Sequence, residues 1–254
     1  MSKPKNNFIK EFLTEKEARI ASYANDTDWH NLSLKWLVRA FEQKYMYNFS
    51  VLGRPVIQTP FEMVAMQEII WSVQPDLIIE TGIAHGGSLV FSSSMLELNA
   101  ICGGPQEAEV LGIDIDIRKH NREAIEAHPM FKRISMIQGS SIAPEIIEQV
   151  TAKAEGKQKI LVLLDSNHTH DHVLAELEAY APLTSIGSYC VVFDTVVEDL
   201  PDEMFNDRPW GVGNNPKTAV WEYLKTHPEF EIDKSVQNKL LITVAPDGYL
   251  KRVK

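Results

Sequence analysis

The chain has 254 residues, a formal net charge of −10, 44% hydrophobic residues and 24% charged residues. These proportions are ordinary for a globular protein with a sizeable core, and they exclude disordered and fibrous classes. An acidic chain without a dense Lys/Arg cluster would repel a phosphate backbone, so nucleic acid is not an expected partner. No apolar run approaches the roughly 18 residues of a membrane span. We therefore expect a cytoplasmic protein without a membrane span.

The two cysteines, Cys102 and Cys190, lie far apart in the sequence, and neither belongs to a CxxC pair. A disulfide framework or a thiolate zinc site is therefore not expected. The absence of an apolar centre in the first 16 residues also argues against a signal peptide.

The first 58 residues are predicted to form an N-terminal helical extension or lid, and residues 59–254 one catalytic domain. An apolar face between Leu32 and Phe41 supports helix in this segment. Apolar positions in the first 50 residues also predict a homo-oligomer. The next helix is predicted to begin at Thr59-Pro60-Phe61-Glu62, where Thr59 and Glu62 would form a capping box, and to run to about Val73.

After Pro75, short apolar runs alternate with stretches long enough for helices, which is typical of βαβ units. The predicted parallel strands are 77–80, 110–114, 134–138, 160–165 and 189–194, and the predicted helices lie near 88–99, 118–127, 143–154 and 171–180. A further helix near 217–226 and two last strands near 230–232 and 240–244 would complete the sheet. The predicted fold is α/β and Rossmann-like, a seven-stranded, mostly parallel sheet with helices on both faces.

The first strand of this sheet runs into the glycine-rich segment from Glu80 to Ser88. In an open α/β sheet, ligands bind outside the carboxyl ends of the strands. Glycines there let the backbone turn tightly and approach a ligand closely. The spacing differs from GxGxxG, and an acid precedes the first glycine. These features favour S-adenosylmethionine over NAD.

Two later strand ends carry residues suited to the rest of an adenosyl group. Asp114 ends the second strand, where a carboxylate can accept both ribose hydroxyls. Ser140 and Ser141 follow the third strand, where the adenine edge would lie. Other interpretations stay open, because an Asp at a strand end often caps a helix, and either serine can cap the next helix.

Strands four and five end in Asp165 and Asp194. A carboxylate at the end of a buried strand is costly unless it has a charged partner. Two carboxylates with Thr195 or water oxygens would suit Mg²⁺. His168 lies three residues after Asp165, close enough to act as a general base. His170 and His172 are expected to lie on a solvated helix start. A facial-triad iron site and an HExxH zinc site are disfavoured because neither pattern is present.

Five segments together resemble the cephalosporin hydroxylase and rhamnosyl O-methyltransferase family, over most of residues 50–254. They are ETGIAHGGS, GIDIDIR, DSNHTHDHV, GSYCVVFDT and WGVGNNPKTAV. The resemblance implies a class I, S-adenosylmethionine-dependent, Mg²⁺-requiring O-methyltransferase. One departure is Phe193, because some relatives carry an acid immediately before the strand-five Asp.

The resemblance and the residue patterns together give a set of predicted site residues. The predicted catalytic base is His168, and the predicted metal ligands are Asp165, Asp194 and Thr195. The predicted cofactor-binding residues are Glu80, Gly82, His85, Gly86, Ser88, Asp114, Ser140, Ser141 and Asp165. Trp210, in a loop with several glycines, is expected either to cover the acceptor or to pack on the sheet.

The predicted reaction is methyl transfer to a hydroxyl of a small molecule, with a deoxysugar of a glycan or natural product as the expected acceptor. Two alternatives are a cephalosporin-hydroxylase-like oxygenase, which needs iron, oxygen and a reductant, and a non-catalytic partner protein. Loss of activity with a chelator would separate the first reading from a metal-independent methyltransferase.

Overall fold

The computed structural model describes residues 7–254. The N-terminal segment contains two helices, α1 (Asn7–Tyr23) and α2 (Thr27–Glu42), and the Asp26 side chain caps α2 by accepting from the Trp29 amide. A short antiparallel hairpin follows, made of β1 (Phe49–Val51) and β2 (Arg54–Val56). Residues 1–6 of the predicted extension lie outside the described residues. Between residues 7 and 254, no helix has both the length and the apolar composition of a membrane span.

The rest of the chain alternates strands with helices, as predicted. The strands are β3 (Leu77–Thr81), β4 (Glu109–Asp114), β5 (Ile134–Gln138), β6 (Ile160–Leu164), β7 (Tyr189–Val192), β8 (Phe230–Ile232) and β9 (Tyr249–Arg252). The helices are α3 (Pro60–Val73), α4 (Gly87–Ile101), α5 (Lys119–Glu126), α6 (Pro144–Ala154), α7 (His170–Tyr180), α8 (Pro216–Tyr223) and α9 (Lys234–Leu240).

The seven strands form one sheet in the order β5-β4-β3-β6-β7-β9-β8, in which β3 to β7 pair in parallel and β8 and β9 are antiparallel. The chain runs outward from β3 to β5 and then returns to β6 on the other side of β3. This reversal makes the carboxyl ends of β3 and β6 the switch point at which α/β sheets bind ligands. The predicted fold class is confirmed.

Two apolar cores cover the two faces of the sheet, because alternate strand residues point to opposite sides. Ile78 and Val191 face the core that α2 to α5 and α9 cover, whereas Ile79 and Val192 face the core that α6 to α8 cover. Strands buried on both faces read as continuous apolar runs, which is why the sequence located them well.

The predicted strand at 240–244 is wrong, since α9 ends at Leu240 and the last strand is Tyr249–Arg252. The apolar run is instead held by individual hydrogen bonds. The Val244 amide donates to Glu62 Oε1 at 2.8 Å, and its carbonyl accepts from the Val196 amide at 3.2 Å. These bonds satisfy the backbone without a strand ladder and bring Val244 to the central cavity.

The predicted capping box at the start of α3 is also wrong, although the helix itself spans the predicted residues. The Thr59 side chain makes no bond to a helix amide and donates to Glu62 Oε2 instead. Glu62 is fully buried, and burial raises the pKa of its carboxyl. Its two oxygens tie the start of α3 to the segment before β9.

Replacement of Glu62 by leucine is expected to destabilise the protein more than replacement by glutamine. Leucine leaves the buried Val244 amide without an acceptor, which costs about 1–3 kcal/mol, whereas glutamine keeps an acceptor oxygen. Urea unfolding of the two variants measures the difference in their free energies of unfolding. Equal values would contradict the assigned role of Glu62.

Candidate active site

A cavity of about 550 Å³ opens at the carboxyl ends of β3, β4, β6 and β7. Its floor is the glycine-rich loop after β3. The segment 41–58 borders it on one side, and residues 197–210 border it on another. Of the predicted site residues, seven line it: Gly82, His85, Ser88, Asp114, Asp165, His168 and Asp194.

Two glycines of the loop allow backbone contacts that no other residue permits. Gly82 has φ +88°, and a Cβ there would lie 2.0 Å from the Asp165 carbonyl oxygen. A Cβ on Gly87 would lie 2.2 Å from the Pro55 carbonyl oxygen. The loop is therefore packed between the end of β6 and the N-terminal hairpin, and glycine is needed for both approaches.

Side chains from two other elements fix the shape of the loop. Asp114 Oδ2 accepts hydrogen bonds from the Ile83 amide at 2.8 Å and the Ala84 amide at 3.2 Å. From β2, the Arg54 guanidinium donates to the His85 carbonyl oxygen at 3.0 Å. Asn121 donates to the Ala84 carbonyl oxygen at 2.9 Å. The protein's own side chains thus fix the shape of the loop, and a loop fixed in this way lowers the entropic cost of binding.

Glu80 lies behind the loop with only 3% of its surface exposed. The Ser88 hydroxyl donates to Glu80 Oε1, and Oε2 has no partner within residues 7–254. Burial raises the pKa of Glu80 to about 7, and the Ser88 hydrogen bond opposes this rise. A buried carboxylate oxygen with no donor favours a bound cation or donor nearby.

Asp165, His168 and Asp194 form a compact group at the ends of β6 and β7, which are neighbours in the sheet. One ligand atom of each lies within 4.8 Å of the others, and His168 Nε2 is 3.4 Å from Asp194 Oδ2. Burial, the Asp194 charge and the Glu80 charge raise the pKa of Asp165 well above its usual range.

The backbone of Asp194 is unusual, because it adopts φ +55° immediately after β7. A non-glycine residue in the left-handed region is uncommon, and such strained residues cluster at functional sites. The strain occurs at one of the two carboxylates of the group.

No lysine or arginine within residues 7–254 forms an ion pair with Glu80, Asp165, Asp194 or Glu176. Glu80 and Glu176 are buried, and Asp165 and Asp194 are partly buried. Carboxylates withdrawn from water without a cation are costly, and oxygen-rich groups suit hard cations such as Mg²⁺. The residues present therefore fit a divalent cation held by Asp165 and Asp194.

The model of the family described as Rhamnosyl O-methyltransferase/CmcI matches residues 43–253 of this chain. The chain belongs to this family. Rhamnosyl O-methyltransferase of Mycobacterium tuberculosis is 33% identical over 196 residues, which cover 75% of this chain and 73% of that protein. The Mycobacterium leprae protein of the same name is 31% identical over 208 residues, covering 79% and 82%.

Solved structures support the same fold. A structure of CmcI with Mg and SAM has a TM-score of 0.55 at 19% identity, covering 82% of this chain and 78% of that one. An apo structure of CmcI has a TM-score of 0.54 at 19% identity, covering 82% and 77%. The predictions of family, class I methyltransferase fold and O-methyltransferase type are confirmed.

Trp210 lies at the cavity, with its ring edge-on to the His168 imidazole at a centroid distance of 4.7 Å. The Arg208 guanidinium lies 5.5 Å from the Trp210 ring centroid. This loop therefore covers the acidic group. Its role in binding an acceptor stays a prediction.

The structure does not bring five predicted residues to the cavity wall: Glu80, which lies behind the loop, and Gly86, Ser140, Ser141 and Thr195. Thr195 is fully buried and its hydroxyl donates to the Pro246 carbonyl oxygen at 2.6 Å, so it is not arranged as a metal ligand. Ser141 Oγ lies 3.0 Å from His172 Nε2, and neither Ser140 nor Ser141 lines the cavity. Gly86 has φ +81° and turns the loop without lining the cavity.

His170 and His172 lie in the first turn of α7, as expected, but their side chains are less exposed to solvent than expected. Each side chain is 20% exposed. His170 Nδ1 lies 2.8 Å from Thr218 Oγ1, whereas His172 packs against the buried Glu176. Neither ring lines the cavity, so His168 alone of the three meets it.

Sequence reasoning missed Arg54, Gln58 and Glu176. Gln58 Nε2 donates to Asp165 Oδ2 at 3.1 Å, and Ser166 donates to Glu176 Oε1 at 2.7 Å. Glu176 lies within a helix, where an acid normally faces solvent. Arg54 lies 31 residues before His85, and Gln58 lies 107 residues before Asp165. No local pattern marks these residues.

Gly82→Ala is expected to weaken S-adenosylhomocysteine binding by about tenfold or more, because the new Cβ displaces Asp165 and strains the loop. Calorimetry on folded protein measures this. Gly103→Ala is a matched control: Gly103 has φ +94°, but a Cβ there meets no atom within 4 Å. Equal binding by both variants would contradict the assigned packing of the loop.

Proposed function

We propose that this chain is an S-adenosylmethionine-dependent, Mg²⁺-assisted O-methyltransferase that acts on a hydroxyl of a sugar in a glycan or natural product. The observation that carries the proposal is the cation-deficient group of Asp165, His168 and Asp194 beside the glycine-rich loop. Relatives named rhamnosyl O-methyltransferase support a deoxysugar acceptor.

S-adenosylmethionine and Mg²⁺ would each supply a different part of the chemistry. S-adenosylmethionine, when bound, supplies a methyl group already activated on a sulfonium. Mg²⁺, held by Asp165 and Asp194, would supply a Lewis acid that favours loss of a proton from a nearby hydroxyl.

His168 has the position of a general base. Its imidazole lines the cavity, and Nε2 lies 3.4 Å from Asp194 Oδ2. His168 accepts the proton of the acceptor hydroxyl, and the Asp194 carboxylate stabilises the imidazolium that forms. The acceptor oxygen takes the methyl group, and S-adenosylhomocysteine and a methyl ether leave. The proton then passes to solvent.

The remaining residues position the reactants. The loop held by Asp114 and Arg54 is ordered in advance, so binding energy is available for alignment of the oxygen with the methyl group. Trp210 offers an aromatic surface beside His168 and helps to exclude water.

The oxygenase alternative has less support from the side chains. A facial iron triad takes two histidines and one carboxylate. The group here has one histidine and two carboxylates, and the nearby His170 and His172 rings are hydrogen bonded elsewhere. A purely non-catalytic role gives no reason for a strained Asp194 at the cavity.

The predictions of a homo-oligomer and of a cytoplasmic location are part of this proposal. Exposed apolar side chains on α1 support a homo-oligomer, since such stripes mark association surfaces: Phe8 83%, Ile9 62%, Phe12 55% and Leu13 46% exposed. The cytoplasmic location and the division of the chain at residue 58 stay predictions.

A methyl-transfer assay tests the proposal. We expect purified protein to methylate a simple rhamnoside when S-adenosylmethionine and Mg²⁺ are present, with the product identified by mass spectrometry. EDTA should abolish the product, and added Mg²⁺ should restore it. His168→Ala should lower kcat by about 10²–10⁴-fold, the usual contribution of a general base, while S-adenosylhomocysteine affinity is kept.

His170→Ala is the matched control, because its ring bonds Thr218 and does not line the cavity. Product formation that EDTA leaves unchanged would show that the reaction does not need Mg²⁺. A His168→Ala variant with full activity would show that His168 is not the general base. A loss of Mg²⁺ affinity in that variant would instead indicate that His168 is a metal ligand.

A further inference from the structure

Gln58 connects the N-terminal segment to the centre of the site. It lies between β2 and α3, lines the cavity and is only 8% exposed. Its Nε2 donates to Asp165 Oδ2 at 3.1 Å. Its Oε1 is buried and has no hydrogen-bond partner within residues 7–254.

The orientation of this amide follows from its neighbour. A rotated amide would place Oε1 against the Asp165 carboxylate, where two acceptors repel each other. Nε2 therefore faces Asp165 when that carboxylate is charged, and Oε1 faces a different partner. A buried amide oxygen without a donor costs free energy, so a ligand that donates there gains affinity.

The surroundings of Gln58 define the chemistry of that ligand. Glu80 Oε2 is also buried without a partner, and the Ser88 hydroxyl already donates to Glu80. No lysine or arginine pairs with Glu80 or Asp165 within the described part of the chain. Gln58 bonds Asp165, and the Glu80 charge acts on the same Asp165, so the amide and the two carboxylates are close neighbours. A ligand group that donates N–H and carries a positive charge suits this position, and an ammonium has both properties.

We propose that Gln58 Oε1 accepts a hydrogen bond from the α-ammonium of S-adenosylmethionine, while Nε2 holds Asp165. This inference rests on the proposed function, since it assigns one end of its cofactor. Gln58 is thus a cofactor-binding residue, supplied by the segment before α3, that recognises the amino-acid part of the cofactor. The same amide links occupancy of the cofactor site to the position of a metal-site carboxylate.

The test compares two ligands that differ in the group concerned. S-adenosylhomocysteine carries the α-ammonium, whereas 5′-methylthioadenosine lacks the whole amino-acid part. For Gln58→Leu, calorimetry should show S-adenosylhomocysteine binding weakened by about tenfold or more, with 5′-methylthioadenosine binding within about twofold of wild type. Gln58→Glu keeps an acceptor oxygen and should retain the wild-type preference for S-adenosylhomocysteine over 5′-methylthioadenosine.

Three results would overturn the inference while the proposed function stands. They are unchanged S-adenosylhomocysteine affinity in Gln58→Leu, an equal loss for both ligands, and a loss of Mg²⁺ affinity with the ligand preference intact. The last would assign Oε1 to the metal. If wild-type protein binds neither ligand, the proposed function fails and this inference fails with it. Thermal unfolding of each variant shows whether it is folded under the conditions of the binding measurement.

Discussion

Carboxylates without a cationic partner, placed at the ends of buried strands, are the constraint on which the site depends. Glu80 precedes the end of β3, Asp165 follows β6, and Asp194 follows β7. Glu80 is buried, Asp165 and Asp194 are partly buried, and their nearest partners are a hydroxyl, an amide and an imidazole. Such a cluster is stable only if protons or bound cations offset its charge, as the raised pKa values of Glu80 and Asp165 indicate.

The fold makes this concentration of charge possible. Because the strand order reverses between β3 and β6, their carboxyl ends lie side by side, and Gly82 lets the two backbones touch. The Asp165 amide donates to the Thr81 carbonyl oxygen at 3.0 Å, which fixes the two ends in register. The glycine-rich loop and the acidic group are therefore two walls of one cavity, so an adenosyl donor and a metal-assisted acceptor can meet there.

The segment before α3 does more than cover the site, because its residues contact the glycine-rich loop and Asp165. Arg54 bonds the glycine-rich loop, the Pro55 carbonyl packs against Gly87, and Gln58 bonds Asp165. These three residues lie within the family match, which begins at residue 43. The cavity is thus built from segments far apart in sequence.

The sequence predicted the parallel sheet because strands buried on both faces, such as Ile160–Leu164, read as plain apolar runs. It also predicted Asp165, His168 and Asp194 as one group, since the carboxyl ends of neighbouring strands meet. It failed at 240–244, where side-chain bonds from Glu62 replace a ladder. It could not reveal Gln58 or the strained Asp194 backbone, because both depend on tertiary contacts that leave no local pattern.

If the carboxylate cluster binds a divalent cation, direct titration of Mg²⁺ into protein saturated with S-adenosylhomocysteine will detect it. Asp171, an exposed acid in the first turn of α7, supplies the control variant. We expect one ion per chain in wild type and Asp171→Asn, and loss of that binding in Asp165→Asn. Equal stoichiometry and affinity in all three proteins would contradict it.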